Sequence, residues 1–85
     1  MNDRRLRPLN EPRAVKVETD RGGLPRSVLL EGRRRRVEVI RETWRIDDEW
    51  WRRSVSRLYH EVVLEDGRLV TLYHDREDGS WHVQA

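Results

Sequence analysis

Apolar residues of this chain alternate over Ala14 to Thr19 and cluster in alternating runs from Val28 onward, the period of a strand that turns one face to a core. Ala14 to Thr19 sets Val15 and Val17 on one side, and Asp20-Arg21-Gly22-Gly23 reads as a turn. Pro25 stands at the opening of the next run, Ser27 to Leu30, which ends at a tight turn over Glu31-Gly32. Arg33 to Ile46 is long for a single strand. Val37 and Val39 share one parity, while Ile40, Trp44 and Ile46 share the other, and such a switch is what a β-bulge or sharp bend produces. A helix over Val37 to Trp44 is the rival reading, but the β-branched and aromatic content favours strand.

Asp47 to Ser54 reads as a charged connection with room for one helical turn capped by Asp47 or Asp48. Arg57 to Leu64 and Arg68 to His74 then flank Glu65-Asp66-Gly67, and Asp-Gly is a strong hairpin signal because a type I′ turn needs positive φ at both central residues. With Asp66-Gly67 as a two-residue loop, Leu64 lies opposite Leu69, Val62 opposite Thr71 and His60 opposite Tyr73. The other face holds Tyr59, Val63, Val70, Leu72 and His74, joined by Trp81 and Val83 after a turn at Asp75 to Gly79. Both faces carry large apolar side chains, which a flat sheet with one wet face does not need. The expectation is an all-β fold: a small antiparallel barrel or strongly curled sheet of about five to six strands, with no helix longer than about two turns.

Composition adds bounds. Eighty-five residues make one domain. Charged residues at 40% against 35% apolar lean toward disorder, but four Trp, two Tyr and ordered alternation argue for a folded body. Residues 1–12, with Pro8, Pro12 and many charges, read as a flexible basic arm, leaving 13–85 as the β domain. The absence of cysteine excludes disulfides, thiolate zinc sites and thiol nucleophiles. No apolar run approaches the roughly 18–20 residues of a membrane span. The first residues lack the apolar core of a signal peptide, so the expected location is cytoplasmic.

Net charge is +2, but residues 1–36 hold eleven Lys/Arg against five Asp/Glu, and residues 37–85 seven against eleven. Seventeen of the eighteen cations are Arg. A GC-rich genome explains that bias first; a planar, permanently charged fork that grips phosphate or carboxylate in two places explains it second.

Three groups of residues are candidates for function. Arg33, Arg34, Arg35 and Arg36 could track a nucleic-acid backbone, against the plainer reading of alternate arginines that protect an edge and pair with Glu18, Glu38 or Glu42. Trp50, Trp51, Arg52 and Arg53 interleave aromatics with cations in the charged connection, as a protein hot spot or a base-stacking platform would. Trp44 and Trp81 are assigned to the core, since a chain without Phe must fill it with something large. His60 and His74 fall on opposite faces in the register above, which spoils a three-His site with His82. Ser54, Ser56 and Ser80 lack a nucleophile-elbow setting, and paired carboxylates occur only in turns, so no enzyme, metal or cofactor is expected.

Trp44-Arg45, Trp50-Trp51, Arg57 to Leu64, Gly67, Leu72-Tyr73-His74-Asp75 and Gly79-Ser80-Trp81 together resemble a small bacterial domain of unknown function, over about residues 25–84. That domain occurs alone and at the C-terminal end of Y-family-polymerase-like mutasome subunits, which lack catalytic carboxylates and serve as scaffolds. No polymerase-like region is present here. The chain is therefore expected to act as a separate subunit or in some other process, and the resemblance carries over no catalytic or binding residues. The expected function is a non-catalytic protein-interaction or adaptor module in DNA damage tolerance, with Trp50 to Arg53 as the contact patch on an unidentified protein. A nucleic-acid-binding module using Arg33 to Arg36 and the basic arm is the alternative. A structural dimerisation domain is the third. The small net charge favours the first.

Overall fold

The computed structural model describes residues 12–50 and 53–84, with the side chains of Glu49, Trp50 and Arg53 excepted. Six strands follow in order: β1 (Arg13–Thr19), β2 (Pro25–Leu30), β3 (Arg33–Trp50), β4 (Arg53–Leu64), β5 (Leu69–Asp75) and β6 (Trp81–Gln84). Each pairs antiparallel with the next, and β6 returns to β1, closing a barrel. The predicted all-β barrel is therefore the observed fold, with no helix among the described residues.

The interior is narrow and aliphatic. Val28, Leu30, Val62, Leu64, Val70, Leu72 and Val83 are buried together, and Val15, Val17, Val37, Ile40 and Trp81 pack around them. These are alternate positions on each strand, so period-two patterning alone supplies the core. Trp81, assigned to the core, packs against it but is only partly buried. Trp44 is not in the core: it is 38% exposed, on the outside of the barrel. The inward position beside it belongs to Thr43, which meets buried His60, so strand alternation turns Trp44 outward opposite Tyr59.

Two turns decide the registers. Glu31 and Gly32 both have positive φ, 53° and 77°, and Leu30 pairs directly with Arg33, so this hairpin has the two-residue loop. The β4–β5 hairpin has a three-residue loop instead. The Leu64 N–H donates to the Arg68 carbonyl, and the Gly67 N–H to the Leu64 carbonyl. Only Gly67 of the loop has positive φ, and the Asp66 carboxylate accepts the Arg68 N–H at 3.0 Å, an Asx turn that suits this loop. The glutamate before it is tied to β3, since the Glu65 N–H donates to the Arg36 carbonyl and Glu65 Oε2 accepts the Arg36 N–H.

The register thus slips by one from the two-residue reading. Val62 pairs with Val70, Glu61 with Thr71, His60 with Leu72 and Tyr59 with Tyr73. Such a slip regroups every side chain on the facing strand. His60 and His74 accordingly lie on the same side, contrary to the expectation above.

The β3–β4 hairpin is the longest element, with pairing unbroken to Trp50 opposite Arg53. Asp47 to Trp50, Arg53 and Ser54 are ladder residues, so the charged connection with a helical turn is corrected to strand. Polar pairing holds Asp47 extended: across the ladder the Ser56 hydroxyl donates to its Oδ1 at 2.7 Å, and along β3 Arg45 Nε lies 2.7 Å from its Oδ2. Ser56 and Arg45 hold the Asp47 carboxyl below its ordinary range. The parity switch predicted between Val39 and Ile40 appears as two irregularities, one between Val37 and Val39 and one between Ile40 and Glu42.

Candidate functional site

β3 changes partner along its length. Arg33 to Arg36 pair with β2, and from Val37 onward β3 pairs only with β4 among the described strands. The side of β3 facing away from β4 is therefore open from Val37 to Asp47. Val39, Trp44 and Ile46 are exposed on this strand, at 50%, 38% and 41%. Open strand edges offer unpaired N–H and C=O groups to any extended chain that can reach them.

Trp44 also ends a row of rings. On the outer face of the sheet, Trp44 stacks on Tyr59 (centroids 5.3 Å, planes 7° apart), Tyr59 meets Tyr73 at 5.0 Å, and Tyr73 stacks on His82 at 4.9 Å. These four residues sit directly across from one another on β3, β4, β5 and β6, because the observed registers pair 44 with 59, 59 with 73 and 73 with 82. The Arg57 guanidinium lies over the Tyr73 ring, 4.6 Å from its centroid, and its Nη1 is 3.4 Å from the Tyr59 hydroxyl. Tyr59 and Tyr73 are thereby buried although they point outward, and burial pushes the Tyr73 phenol up. Among the described residues Trp44 has a ring on one side only, that of Tyr59, and its strand borders the open β3 edge.

Sequence reasoning missed this arrangement. Its signal was present as Trp44, Tyr59, Tyr73 and His82 at strand positions, but the slipped register put Tyr73 opposite His60 and broke the row.

The arginine run divides as alternation requires. Arg35 is drawn toward the barrel end, its side chain 13% exposed, 2.7 Å from Asp66 and 3.4 Å from Glu31. Arg34 points outward and pairs with Glu18 at 3.1 Å. Arg36 lines an outer groove with Arg34, and Arg33 is exposed at the turn. The four do not form one patch. Of Trp50 to Arg53, the backbones of Trp50 and Arg53 close the hairpin ladder, while Trp51 and Arg52 and the side chains of Trp50 and Arg53 lie outside the described residues.

His60 is fully buried, and its Nδ1 is 2.9 Å from the Thr43 hydroxyl. Its ring stacks on Trp81 at 5.9 Å, and His74 stacks on the same indole at 4.7 Å. Burial, then the charge of His74, hold His60 below its ordinary range, so it is neutral at pH 7. His74, Trp81, Arg76 and Leu58 border a shallow hollow of about 390 Å³ beside Gly22 and Gly23. Among the described residues no three or more His, Asp or Glu side chains are grouped so as to hold a metal ion. No described helix is long and apolar enough to cross a membrane.

Comparison with protein-family models, with curated proteins and with solved structures finds no match to this chain.

Proposed function

We propose that this domain is a non-catalytic protein-interaction module that takes an extended segment of its partner as an added strand along the open edge of β3. One observation carries the reading: among the described residues β3 pairs only with β4 from Val37 to Asp47, and the four-ring row ends at that edge on an exposed Trp44. Strand addition gains affinity from main-chain hydrogen bonds and selectivity from alternate side chains. Here the selective position is the one opposite Trp44, where an aromatic or arginine side chain of the partner would extend the stack. Val39 and Ile46 add apolar contact area on either side. The charges between them (Glu38, Arg41, Glu42, Arg45 and Asp47) disfavour indiscriminate pairing and restrict partners to those of matching charge order.

The run Trp50 to Arg53 is included in the proposed contact on the strength of its sequence, its first and last residues being a backbone pair of the same hairpin. The setting in DNA damage tolerance rests on the resemblance of Trp44, Trp50-Trp51 and the Tyr73 to Trp81 stretch to the mutasome-associated domain. With a partner isolated and identified by affinity capture, Trp44→Ala is expected to weaken its binding at least tenfold while leaving the far-UV spectrum and melting temperature within a few degrees of wild type. Such a loss is in the range of interfacial aromatic hot spots. Undiminished binding by a folded Trp44→Ala variant would remove the β3 edge as the contact surface.

A further inference from the structure

A second surface, on the far side of β2 from the core, concentrates positive charge. Arg26, Arg34 and Arg36 line one groove of about 410 Å³ with Thr19, Ser27 and a single carboxylate, Glu18. Arg35, Arg41, Arg45 and Arg68, by contrast, are each matched by carboxylates: Arg35 by Asp66 and Glu31, Arg41 by Glu61, Arg45 by Asp47, and Arg68 by Glu31 and Asp66.

The local fold builds the cluster. Between Glu18 and Thr19 the β1–β2 register shifts, Glu18 facing Ser27 and Thr19 facing Pro25, so Arg26 is the extra residue of a β-bulge. A bulge re-aims its side chains, and this one brings Arg26 to the same groove as its neighbour Ser27. Ser27 faces Arg36 across β2–β3, and Arg34 lies two residues along, on the same outer face. Buried Ser27 fixes the floor: its hydroxyl donates to Glu18 Oε1 at 3.1 Å and accepts from Arg34 Nη1 at 3.2 Å, while Arg34 and Glu18 form an ion pair at 3.1 Å. Arg34 is thus held in place with most of its five donors free, and the guanidinia of Arg26 and Arg36 have no carboxylate within ion-pair distance among the described residues. Three mutually repelling forks over one carboxylate leave an excess of about two positive charges.

We infer that Arg26, Arg34 and Arg36 form a phosphate-binding site for the backbone of a nucleic acid. Planar guanidinia grip phosphate oxygens two at a time. Arg34 and Arg36, two residues apart on one strand, are separated by about 6.6–6.8 Å of strand rise, commensurate with successive phosphates along one nucleic-acid strand. The contact reads backbone and not bases, since no aromatic side chain lines the groove. The site lies apart from the β3 edge and uses only half of the arginine run: Arg35 is committed to Asp66, and Arg33 does not line the groove.

The test measures binding of labelled 12-nucleotide oligothymidylate, and separately of a phosphoserine peptide, by fluorescence anisotropy across a salt series. The wild-type domain is expected to bind the oligonucleotide with a log–log salt slope of about −2, the value for three phosphate contacts on a single strand. Arg26→Gln with Arg36→Gln, neither of which removes a protein contact, should lower affinity at least tenfold, reduce the slope by about 1.4 and leave melting unchanged. Arg68→Gln with Arg76→Gln, which removes the same charge elsewhere, should change affinity less than threefold. The inference is overturned by absence of oligonucleotide binding at 50 mM salt, by equal losses in the two double variants, or by capture of the phosphopeptide alone.

Discussion

At the scale of single residues, the side chains that matter most are those whose environment departs from what their type prefers. His60 is a polar ring with no exposure inside an aliphatic barrel; one nitrogen meets Thr43, and Nε2 has no partner. Its folded pKa lies below the ordinary value, so below pH about 6.5 the unfolded chain binds more protons than the folded one. The stability that His60 contributes as a neutral ring is therefore complete above the unfolded pKa and falls as pH drops from there toward the folded pKa. Urea midpoints should decrease between pH 7.5 and 5.5, and His60→Gln should flatten that dependence even if it lowers the midpoint overall. An equal decrease in the variant would contradict the assignment of this dependence to His60. Gly67, at φ 88° with open space around its α-carbon, tests the three-residue loop. Gly67→Ala should cost about 1 kcal/mol through backbone strain alone, read as a lower midpoint with unchanged slope. Trp81 packs against the core and between two histidines, and Trp81→Ala should cost about 3 kcal/mol, the low end for a large aromatic because the side chain is only partly buried. For a domain of this size that is a large share of the total, and a melting temperature within two degrees of wild type would contradict its packing role.

At the scale of elements, strand existence was legible from residue parity, while pairing was not. Val15/Val17, Val28/Leu30, Val62/Leu64 and Val70/Leu72 announce their faces without help from tertiary structure. Asp66-Gly67 does not announce its loop length, because Gly67 can serve as the second residue of a two-residue turn or the third of a three-residue one. The Asp66 and Glu65 contacts that settle it come from Arg68 and from β3, thirty residues away. One residue of slip moved His74 to the side of His60 and hid the Trp44–Tyr59–Tyr73–His82 row. Composition misplaced Trp44 for a different reason: absence of Phe says that indoles are the largest side chains available, but not which of them the strand alternation turns inward. Asp47 and Asp48 are poor strand formers by type, and only the β4 partners across the ladder make them extended. Shortening the hairpin tests this element separately. Ser56→Ala removes the hydroxyl that holds Asp47 and should loosen the outer part of the hairpin, seen as faster amide exchange over residues 46–48, with the barrel's melting temperature changed by less than about 3 °C.

At the scale of the whole molecule, a barrel closed by β6 on β1 has one strand too long for its neighbour. β2 covers β3 only as far as Arg36, and the excess leaves an edge that closure would otherwise abolish. The same excess separates two surfaces: the aromatic edge on β3 beyond Val37, proposed above for a protein segment, and the arginine groove over β1, β2 and the start of β3, proposed above for phosphate.

The most direct measurement of this account is backbone amide exchange along β3, followed by NMR in the free domain and in complex with its isolated partner. In the free domain, residues from Val39 to Asp47 should alternate between slow amides that face β4 and fast amides that face the open edge, with the alternation interrupted near Arg41. On partner binding the fast set should become protected by at least tenfold, while amides of β1 and β6 keep their free-state rates. Protection appearing elsewhere on the barrel while the fast β3 amides stay fast would contradict strand addition at this edge.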